Sequence, residues 1–135
     1  MRLLMNLIKV VAGVITNKNK FLIARRKKGK TLELMWEYPG GKVKKNEEEK
    51  EALKRELFEE FNIETDIKNF ITESIYNYGS YKINLRAYYV KHVSGNFRLK
   101  DHDEIAWISK KEFTRYEFAP ADLKINAFLK KNFDV

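Results

Sequence analysis

Three glutamates near the middle of the chain are the residues best suited to chemistry. Glu56, Glu59 and Glu60 are spaced at i, i+3 and i+4, so their carboxylates share one face if the segment is helical. Like charges on one face repel each other, and near a helix C-terminus the macrodipole also disfavours anions. A divalent cation would compensate both effects, and carboxylate oxygens are hard ligands that suit Mg²⁺ or Mn²⁺.

The segment that carries these glutamates is predicted to be a helix with one apolar side. Neither Gly nor Pro occurs from Asn46 to Phe61, and the residues between them favour helix. Leu53, Leu57 and Phe61 recur every four residues, which predicts that this side faces the core. Asn46 is the predicted N-cap, and Asn62 is predicted to end the helix in a left-handed turn.

The glutamates belong to a longer motif with fixed spacing. Its members are Gly41, Glu47, Arg55-Glu56-Leu57, Glu59-Glu60 and Ile63. This pattern resembles the Nudix box, G-x5-E-x7-R-E-U-x-E-E-x-G-U, in which U is a bulky aliphatic residue. Asn62 is the one departure, since the family has Gly there, and Asn is the next most tolerant residue in a left-handed turn. We interpret it as a conservative change.

The resemblance implies a metal-dependent hydrolase that cuts a diphosphate linkage in a nucleotide-like substrate. It implies that Glu56, Glu59 and Glu60 hold the metal and are catalytic, and that Arg55 orients them. Gly40 is expected to let a backbone carbonyl approach the metal, because it lacks a Cβ. Taken alone, the stretch EEEKEALKREL is also typical of a solvated surface helix. The upstream glycine pair and the complete spacing favour the metal site.

Other segments resemble the MutT-type subgroup, which hydrolyses nucleoside triphosphates to monophosphate and pyrophosphate. They are Ala24-Arg25-Arg26, WEYPGGK at 36–42 and Phe118-Ala119-Pro120-Ala121-Asp122. In the subgroup an acidic residue of the 101–104 loop supplements the metal site or acts as a base. Asp101 aligns most naturally and Glu104 is next, although either would equally be a loop carboxylate. His102 is expected to be an exposed loop histidine rather than a ligand.

The subgroup also implies three substrate-binding residues, each with a plainer alternative. Asp122 matches the residue that reads the base, or it caps the final helix. Tyr38 matches an aromatic beside the base, or it is a half-buried core tyrosine. Arg26 matches a basic substrate contact, or it is a solvated strand end. An ionised Asp122 would only accept hydrogen bonds, which favours cytidine-type triphosphates slightly over oxidised guanine, although a buried Asp can be protonated.

Composition narrows the class of protein. The chain has 135 residues, a net charge of +8 and no cysteine, which fits one domain, excludes disulfides and suits a cytoplasmic setting. Residues 42–64 carry eight Glu against six Lys or Arg, so the positive excess lies elsewhere. An acidic site in a basic surround suits a polyphosphate substrate. We expect the apolar opening, with Met5 as an alternative start, to be a first strand rather than a signal peptide.

The remaining patterns predict an α/β (α+β) fold, the α/β/α sandwich with a mixed sheet that the resemblance implies. Two hairpins are predicted, one at 9–25 and one at 66–93, followed by a short strand at 106–108, a short helix from 110 and a terminal helix at 120–131. We expect a single Nudix domain over 1–135, a small-molecule nucleotide partner and a monomer or homodimer. Membrane and nucleic-acid partners are not expected.

Two other functions remain open. Other Nudix hydrolases cut ADP-ribose or dinucleoside polyphosphates, and no segment between 78 and 104 selects one of these. A Nudix-fold module that binds a nucleotide without cleaving it is the third hypothesis. Such modules usually lose glutamates of the box, and all of them are present in this chain. The sequence therefore favours an enzyme.

Overall fold

A computed structural model describes residues 6–133, so Met5 lies outside the described residues. Within these residues, seven strands and two α-helices follow one another: β1 Leu7–Asn17, β2 Lys20–Arg26, β3 Trp36–Glu37, β4 Gly40–Lys42, α1 Glu49–Phe61, β5 Glu64–Asn77, β6 Lys82–Ser94, β7 His102–Ile108 and α2 Leu123–Asn132. Two short 3₁₀ helices, Lys110–Arg115 and Pro120–Asp122, lie between β7 and α2.

The strands form one mixed sheet around β1. The order is β3-β2-β1-β6-β5, with β4 also paired to β1 and β7 also paired to β2. β1 runs parallel to β6, from the pair Leu7 and Lys82 to the pair Ile15 and Val90. The pairings of β1 with β2 and of β5 with β6 are antiparallel, which confirms both predicted hairpins.

Two apolar cores lie on the two faces of the sheet. Val11 of β1 belongs to the core under α1, whereas its neighbour Ala12 belongs to the core under α2, because successive side chains of a strand point to opposite faces. The predicted stripe of α1 is fully buried at Leu53, Leu57 and Phe61. The result is helix, sheet and helix in three layers, which confirms the predicted fold class.

The two ends of α1 differ from one another in how well the sequence predicted them. Asn62 ends the helix at φ 61° and ψ 34°, so the predicted left-handed residue is confirmed. The prediction of Asn46 as N-cap is wrong, because the helix begins at Glu49 and Asn46 itself has φ 64°. The Glu47 carboxylate accepts the Lys44 N–H at 3.0 Å, so this segment forms a turn before the helix.

Strands β3 and β4 were not predicted from the sequence, and β7 is longer than predicted. β3 and β4 flank Pro39 and contain only two and three residues, so they exist through pairing with β2 and β1 rather than through local propensity. β7 begins at His102 instead of residue 106, since it pairs along β2. No helix within residues 6–133 has the length and hydrophobicity needed to span a membrane.

Candidate active site

Arg55 is the centre of the carboxylate cluster on α1. Its guanidinium donates two hydrogen bonds to Glu47, at 2.7 and 2.9 Å. Nη1 donates to Glu56 Oε1 at 2.9 Å and to Glu59 Oε2 at 3.1 Å, and Nη2 donates to the Lys42 carbonyl at 3.1 Å. Five donors in a rigid fork can hold several acceptors at once. Arg55 therefore fixes two of the three predicted metal ligands relative to the β4 segment.

The electrostatics of this cluster agree with its geometry. The hydrogen bonds from Arg55, together with the Lys44 N–H, lower the pKa of Glu47 to about 2. The same carboxylates raise the pKa of Arg55, with Glu47 as the largest cause. Glu47 thus stays ionised as a partner of Arg55.

The glycine pair permits close contact between β4 and its neighbours. A Cβ on Gly41 would collide with the carboxyl group of Glu56, and a Cβ on Gly40 would collide with the backbone carbonyl of Val11. Neither glycine has a positive φ among the described residues, so space rather than backbone conformation requires Gly here. Because Gly41 has no side chain, the Glu56 carboxylate can lie against β4. Because Gly40 has none, β4 can pair with β1.

Glu60 and Asp101 form a second pair of carboxyl groups. Glu60 Oε2 is buried and has no hydrogen-bond partner among the described residues. Burial and the adjacent Asp101 raise the pKa of Glu60, whereas the interaction with Glu60 and the nearby Lys30 lower the pKa of Asp101. The other candidate, Glu104, lies 3.7 Å from Arg25 on the surface. Of the two predicted loop acids, Asp101 is the one beside the box helix.

The donor set fits a hard divalent cation. Within residues 6–133 no three acidic or histidine side chains surround a common point, because Arg55 draws one oxygen each of Glu56 and Glu59 towards itself. Glu60 and Asp101, however, bring two carboxyl groups together with one buried oxygen unpartnered. Adjacent carboxylates need either a shared proton or a cation. All of the candidate ligands are oxygens, the type that Mg²⁺, Mn²⁺ and Ca²⁺ prefer.

A pocket of about 380 Å³ adjoins the glycine pair. Strands β1 and β6, the loop after β2 and the Pro120–Asp122 turn surround it. All of the predicted substrate-binding residues line it, as do Gly40 and Gly41. The lining is mostly apolar, with a few polar side chains that converge on it: Arg26, Thr31, Glu37, Lys42, Tyr78, Tyr81 and Asp122. This combination is typical of a small-molecule site.

Asp122 is a buried lining residue of this pocket. It is 6% exposed and its Oδ2 accepts the Tyr38 N–H at 2.8 Å. Burial and the charge of Glu37 raise its pKa well above the ordinary value. Asp122 occupies the N-cap position of α2, as the alternative interpretation expected, but its backbone is helical and its side chain makes no capping hydrogen bond.

Tyr38 is more deeply buried than either interpretation of the sequence required. It is 2% exposed, stacks on Phe118 with ring centroids 5.8 Å apart and donates from its hydroxyl to Asn126 Oδ1 at 2.6 Å. Burial raises its pKa. Tyr38 is therefore a core residue whose edge also lines the pocket.

Arg26 and Glu37 line the pocket, and the buried His102 contacts Glu37. Arg26 Nη1 donates to Glu37 Oε2 at 3.1 Å and Arg26 Nε donates to the Thr31 carbonyl at 2.5 Å, so Arg26 is not a solvated strand end. His102 Nε2 lies 2.7 Å from the same Glu37 oxygen. His102 is 3% exposed, which makes the prediction of an exposed loop histidine wrong.

Glu37 and His102 carried only a weak signal in the sequence. Glu37 lies in the WEYPGGK segment next to Tyr38, and this position could have indicated a role at the substrate site. His102 lies between two acids in a polar stretch, and only the pairing of β7 with β2 buries it.

Tyr78 and Tyr81, whose rings stack at 5.4 Å, form one wall of the pocket. The Tyr78 hydroxyl accepts the Ala121 N–H at 3.1 Å.

Comparison with known proteins gives consistent matches. A family model described as a NUDIX domain matches residues 10–127. The chain is 33% identical over 121 residues to a CTP pyrophosphohydrolase of Escherichia coli (strain K12), with 90% of each chain covered. It is 36% identical over 116 residues to a putative 8-oxo-dGTP diphosphatase 2 of Mycobacterium tuberculosis, covering 84% of this chain and 81% of the relative. The crystal structure of a MutT protein from Methanosarcina mazei Go1 superposes with a TM-score of 0.85 at 25% identity, covering 98% and 100% of the two chains.

Proposed function

The chain belongs to the Nudix hydrolase family, and we propose that it hydrolyses a nucleoside triphosphate to the monophosphate and pyrophosphate with a divalent cation. The observation that carries this proposal is the junction at Gly40-Gly41. The glycine pair lines a pocket of about 380 Å³ on one side, and Gly41 contacts the Glu56 carboxylate on the other. A nucleoside in the pocket would extend its phosphates across this junction to the carboxylates.

The proposed substrate class is a cytidine-type or an oxidised deoxyguanosine-type triphosphate, in line with the names of the two relatives. The slight preference for cytidine rested on an ionised Asp122, and burial raises the pKa of that carboxyl. A neutral carboxylic acid both donates and accepts. Cytosine offers an acceptor beside an amino donor, and guanine offers a carbonyl beside an N–H, so Asp122 suits either edge.

The proposed mechanism assigns roles to the residues of the cluster. Glu56, Glu59 and Glu60, with Asp101 and the Gly40 carbonyl as additional ligands, would hold Mg²⁺ or Mn²⁺, which neutralises phosphate charge and acidifies water. Arg55 orients Glu56 and Glu59 through Nη1. Water adds to a phosphorus of the triphosphate chain and the bond to the departing phosphate oxygen breaks. A carboxylate of the cluster accepts the proton of this water.

The proposed contacts to the nucleoside and to the phosphates lie in different parts of the site. In the pocket, Arg26, Tyr38 and Asp122 would bind the nucleoside, with Asp122 reading the base. At its mouth, Lys42 would offset phosphate charge. Tyr38 would act mainly by holding Asp122 Oδ2 through its backbone N–H.

The test is a substrate panel assayed for phosphate and pyrophosphate release with Mg²⁺ and then Mn²⁺. The panel holds the common and oxidised (d)NTPs, ADP-ribose and a dinucleoside polyphosphate. We expect one triphosphate to be preferred and to yield pyrophosphate. Preference for ADP-ribose or the dinucleoside polyphosphate would favour another Nudix activity. Nucleotide binding without hydrolysis of any compound in the panel would favour the non-catalytic binding module.

Isosteric variants of the cluster test the catalytic roles directly. Glu59→Gln and Glu60→Gln keep the shape of each side chain but remove a charge, so we expect turnover to fall by about a hundredfold or more with the fold unchanged. Glu51→Gln, on the exposed side of the same helix, is the matched control and should keep full turnover. Near-wild-type turnover in both site variants would refute the assignment.

A further inference from the structure

His102 is a buried histidine between the carboxylate cluster and the pocket. It is the first residue of β7, and its side chain is 3% exposed. Its ring stacks on Phe61, the last residue of α1, with centroids 5.0 Å apart. Its chain neighbour Asp101 lies beside Glu60, whereas its own Nε2 lies 2.7 Å from Glu37 Oε2, which is a side chain of the pocket.

An irregularity in the sheet brings His102 to this position. Arg25 of β2 pairs with Glu104 of β7, but the next residue, Arg26, pairs with His102 rather than with Asp103. One extra residue on β7 therefore separates the two pairs, as in a β-bulge, a device that often redirects a side chain near an active site. The bulge sets His102 opposite Arg26, so that both reach the same oxygen of Glu37.

The hydrogen-bond pattern determines the direction of the contact. Glu37 Oε2 already accepts the Arg26 N–H at 3.1 Å, and a carboxylate oxygen of this kind can only accept. His102 Nε2 must therefore carry the proton that it donates to Glu37. Nδ1 of the same ring is buried without a partner among the described residues, so nothing else orients the ring except the stack on Phe61. Both donors use Oε2, and within residues 6–133 no hydrogen bond engages Glu37 Oε1.

We propose that His102 is a positioning residue that acts through Glu37: its Nε2–H fixes the Glu37 carboxylate so that Oε1 accepts an N–H or O–H of the bound nucleoside. This inference rests on the proposed function, since it concerns the same pocket. Arg26 alone would fix Glu37 less well, because its guanidinium also serves the Thr31 carbonyl. The charge of Glu37 is felt by Asp122 in the same pocket. The position of the Glu37 carboxylate therefore also influences the electrostatic environment of Asp122.

A matched pair of variants separates the hydrogen bond from the packing of the ring. Gln can place an amide N–H near the position of Nε2, and Met has nearly the same size and shape without a donor. We expect His102→Gln to keep the KM for the preferred triphosphate within about twofold, and His102→Met to raise it about tenfold, the effect of one hydrogen bond to a charged group. kcat should stay within about twofold in both variants, because neither residue touches the reacting phosphorus.

A merely structural role would give a different result. In that case the thermal midpoint would fall in both variants, and KM would not separate Gln from Met. The same pair is therefore repeated in a Glu37→Ala background, where no carboxylate remains to be fixed. We expect the two double variants to have equal KM values. A Gln–Met difference that persists without Glu37 would overturn the inference, and so would equal KM values in the two single variants.

Failure of the inference can be told apart from failure of the proposed function. Binding of CMP and of 8-oxo-dGMP, the monophosphate products of the two proposed substrates, is measured by calorimetry on the same variants. If the wild-type chain hydrolyses no triphosphate but His102→Met weakens binding and His102→Gln does not, only the proposed function fails. If hydrolysis is robust and the two variants behave alike, only the inference fails. A wild-type chain that neither hydrolyses nor binds these nucleotides would overturn both.

Discussion

Single residues in this site act mainly through the charges that they hold in place. Arg55 donates to Glu47, Glu56 and Glu59 from one guanidinium, so these like-charged side chains remain close together in the turn before α1 and on α1 itself. Burial and the neighbouring Asp101 raise the pKa of the Glu60 carboxyl. Asp122, in the pocket, differs from these groups because it is buried and no cationic side chain among residues 6–133 hydrogen-bonds to it.

The burial of Asp122 predicts a pH dependence of stability. Because its pKa is raised in the folded state, its favourable contribution is complete below the unfolded pKa of about 4 and is lost as the pH rises through the folded pKa. Relative to Asp122→Asn, the wild type should therefore lose stability as the pH rises, by about 1.4 kcal/mol for each unit of the raised pKa. Thermal midpoints of both proteins from pH 4 to 8 measure this.

Asp103 provides the control with the opposite sign. The hydrogen bond from Arg25 lowers the pKa of its carboxyl, so its contribution is present above the unfolded pKa and is lost as the pH falls. Relative to Asp103→Asn, the wild type should weaken only on acidification. Parallel curves for the wild type and Asp122→Asn would show that this aspartate is not held neutral by the fold.

At the scale of elements, α1 shows which features of a helix a sequence can predict. Its buried stripe and its left-handed end at Asn62 are as predicted, because both depend on local periodicity and backbone preference. Its start is not as predicted. Asn46 would be a good cap, but the Glu47 carboxylate turns to Arg55 and to the Lys44 N–H instead, and the helix begins only after this turn.

The end of α1 supports a prediction on stability. Asn62 has φ 61° and its side chain donates to the Asn96 carbonyl at 3.0 Å. Asn62→Gly and Asn62→Ala both remove that hydrogen bond, but only Ala is strained in a left-handed conformation. We expect the Ala variant to be less stable than the Gly variant by about 1 kcal/mol. Urea unfolding measures the difference, and equal midpoints with equal slopes would contradict it.

The whole molecule places an acidic cluster inside a basic protein. The net charge is +8, although residues 42–64 hold eight Glu against six Lys or Arg. Such a distribution attracts a polyphosphate from a distance, while the carboxylates themselves need a cation before phosphate can approach. Residues distant in the chain, from Ile8 to Asp122, line the pocket of about 380 Å³ beside this cluster.

This distribution of charge predicts that salt weakens the encounter with substrate. At fixed Mg²⁺, raising the ionic strength from low to about 0.3 M should lower kcat/KM by up to about tenfold, because screening shortens the range of attraction. The rate at saturating substrate, kcat, should change little, since it does not depend on encounter. Initial rates at a series of NaCl concentrations measure both constants. A value of kcat/KM that does not respond to salt would contradict the prediction.

The sequence by itself determined most of the secondary structure and the carboxylate face of α1, because helical and strand periodicities are local and Glu56, Glu59 and Glu60 lie within one helix. The three-layer arrangement was implied by the family resemblance. Only the tertiary structure decided that Asp101 rather than Glu104 joins Glu60, that His102 is buried against Phe61, and that Glu37 enters the pocket. Those outcomes depend on which strands pair and on one extra residue in β7, and a bulge that shifts register also changes which side chains meet. Burial, the largest cause of the raised pKa of Asp122, is likewise a property of the assembled molecule.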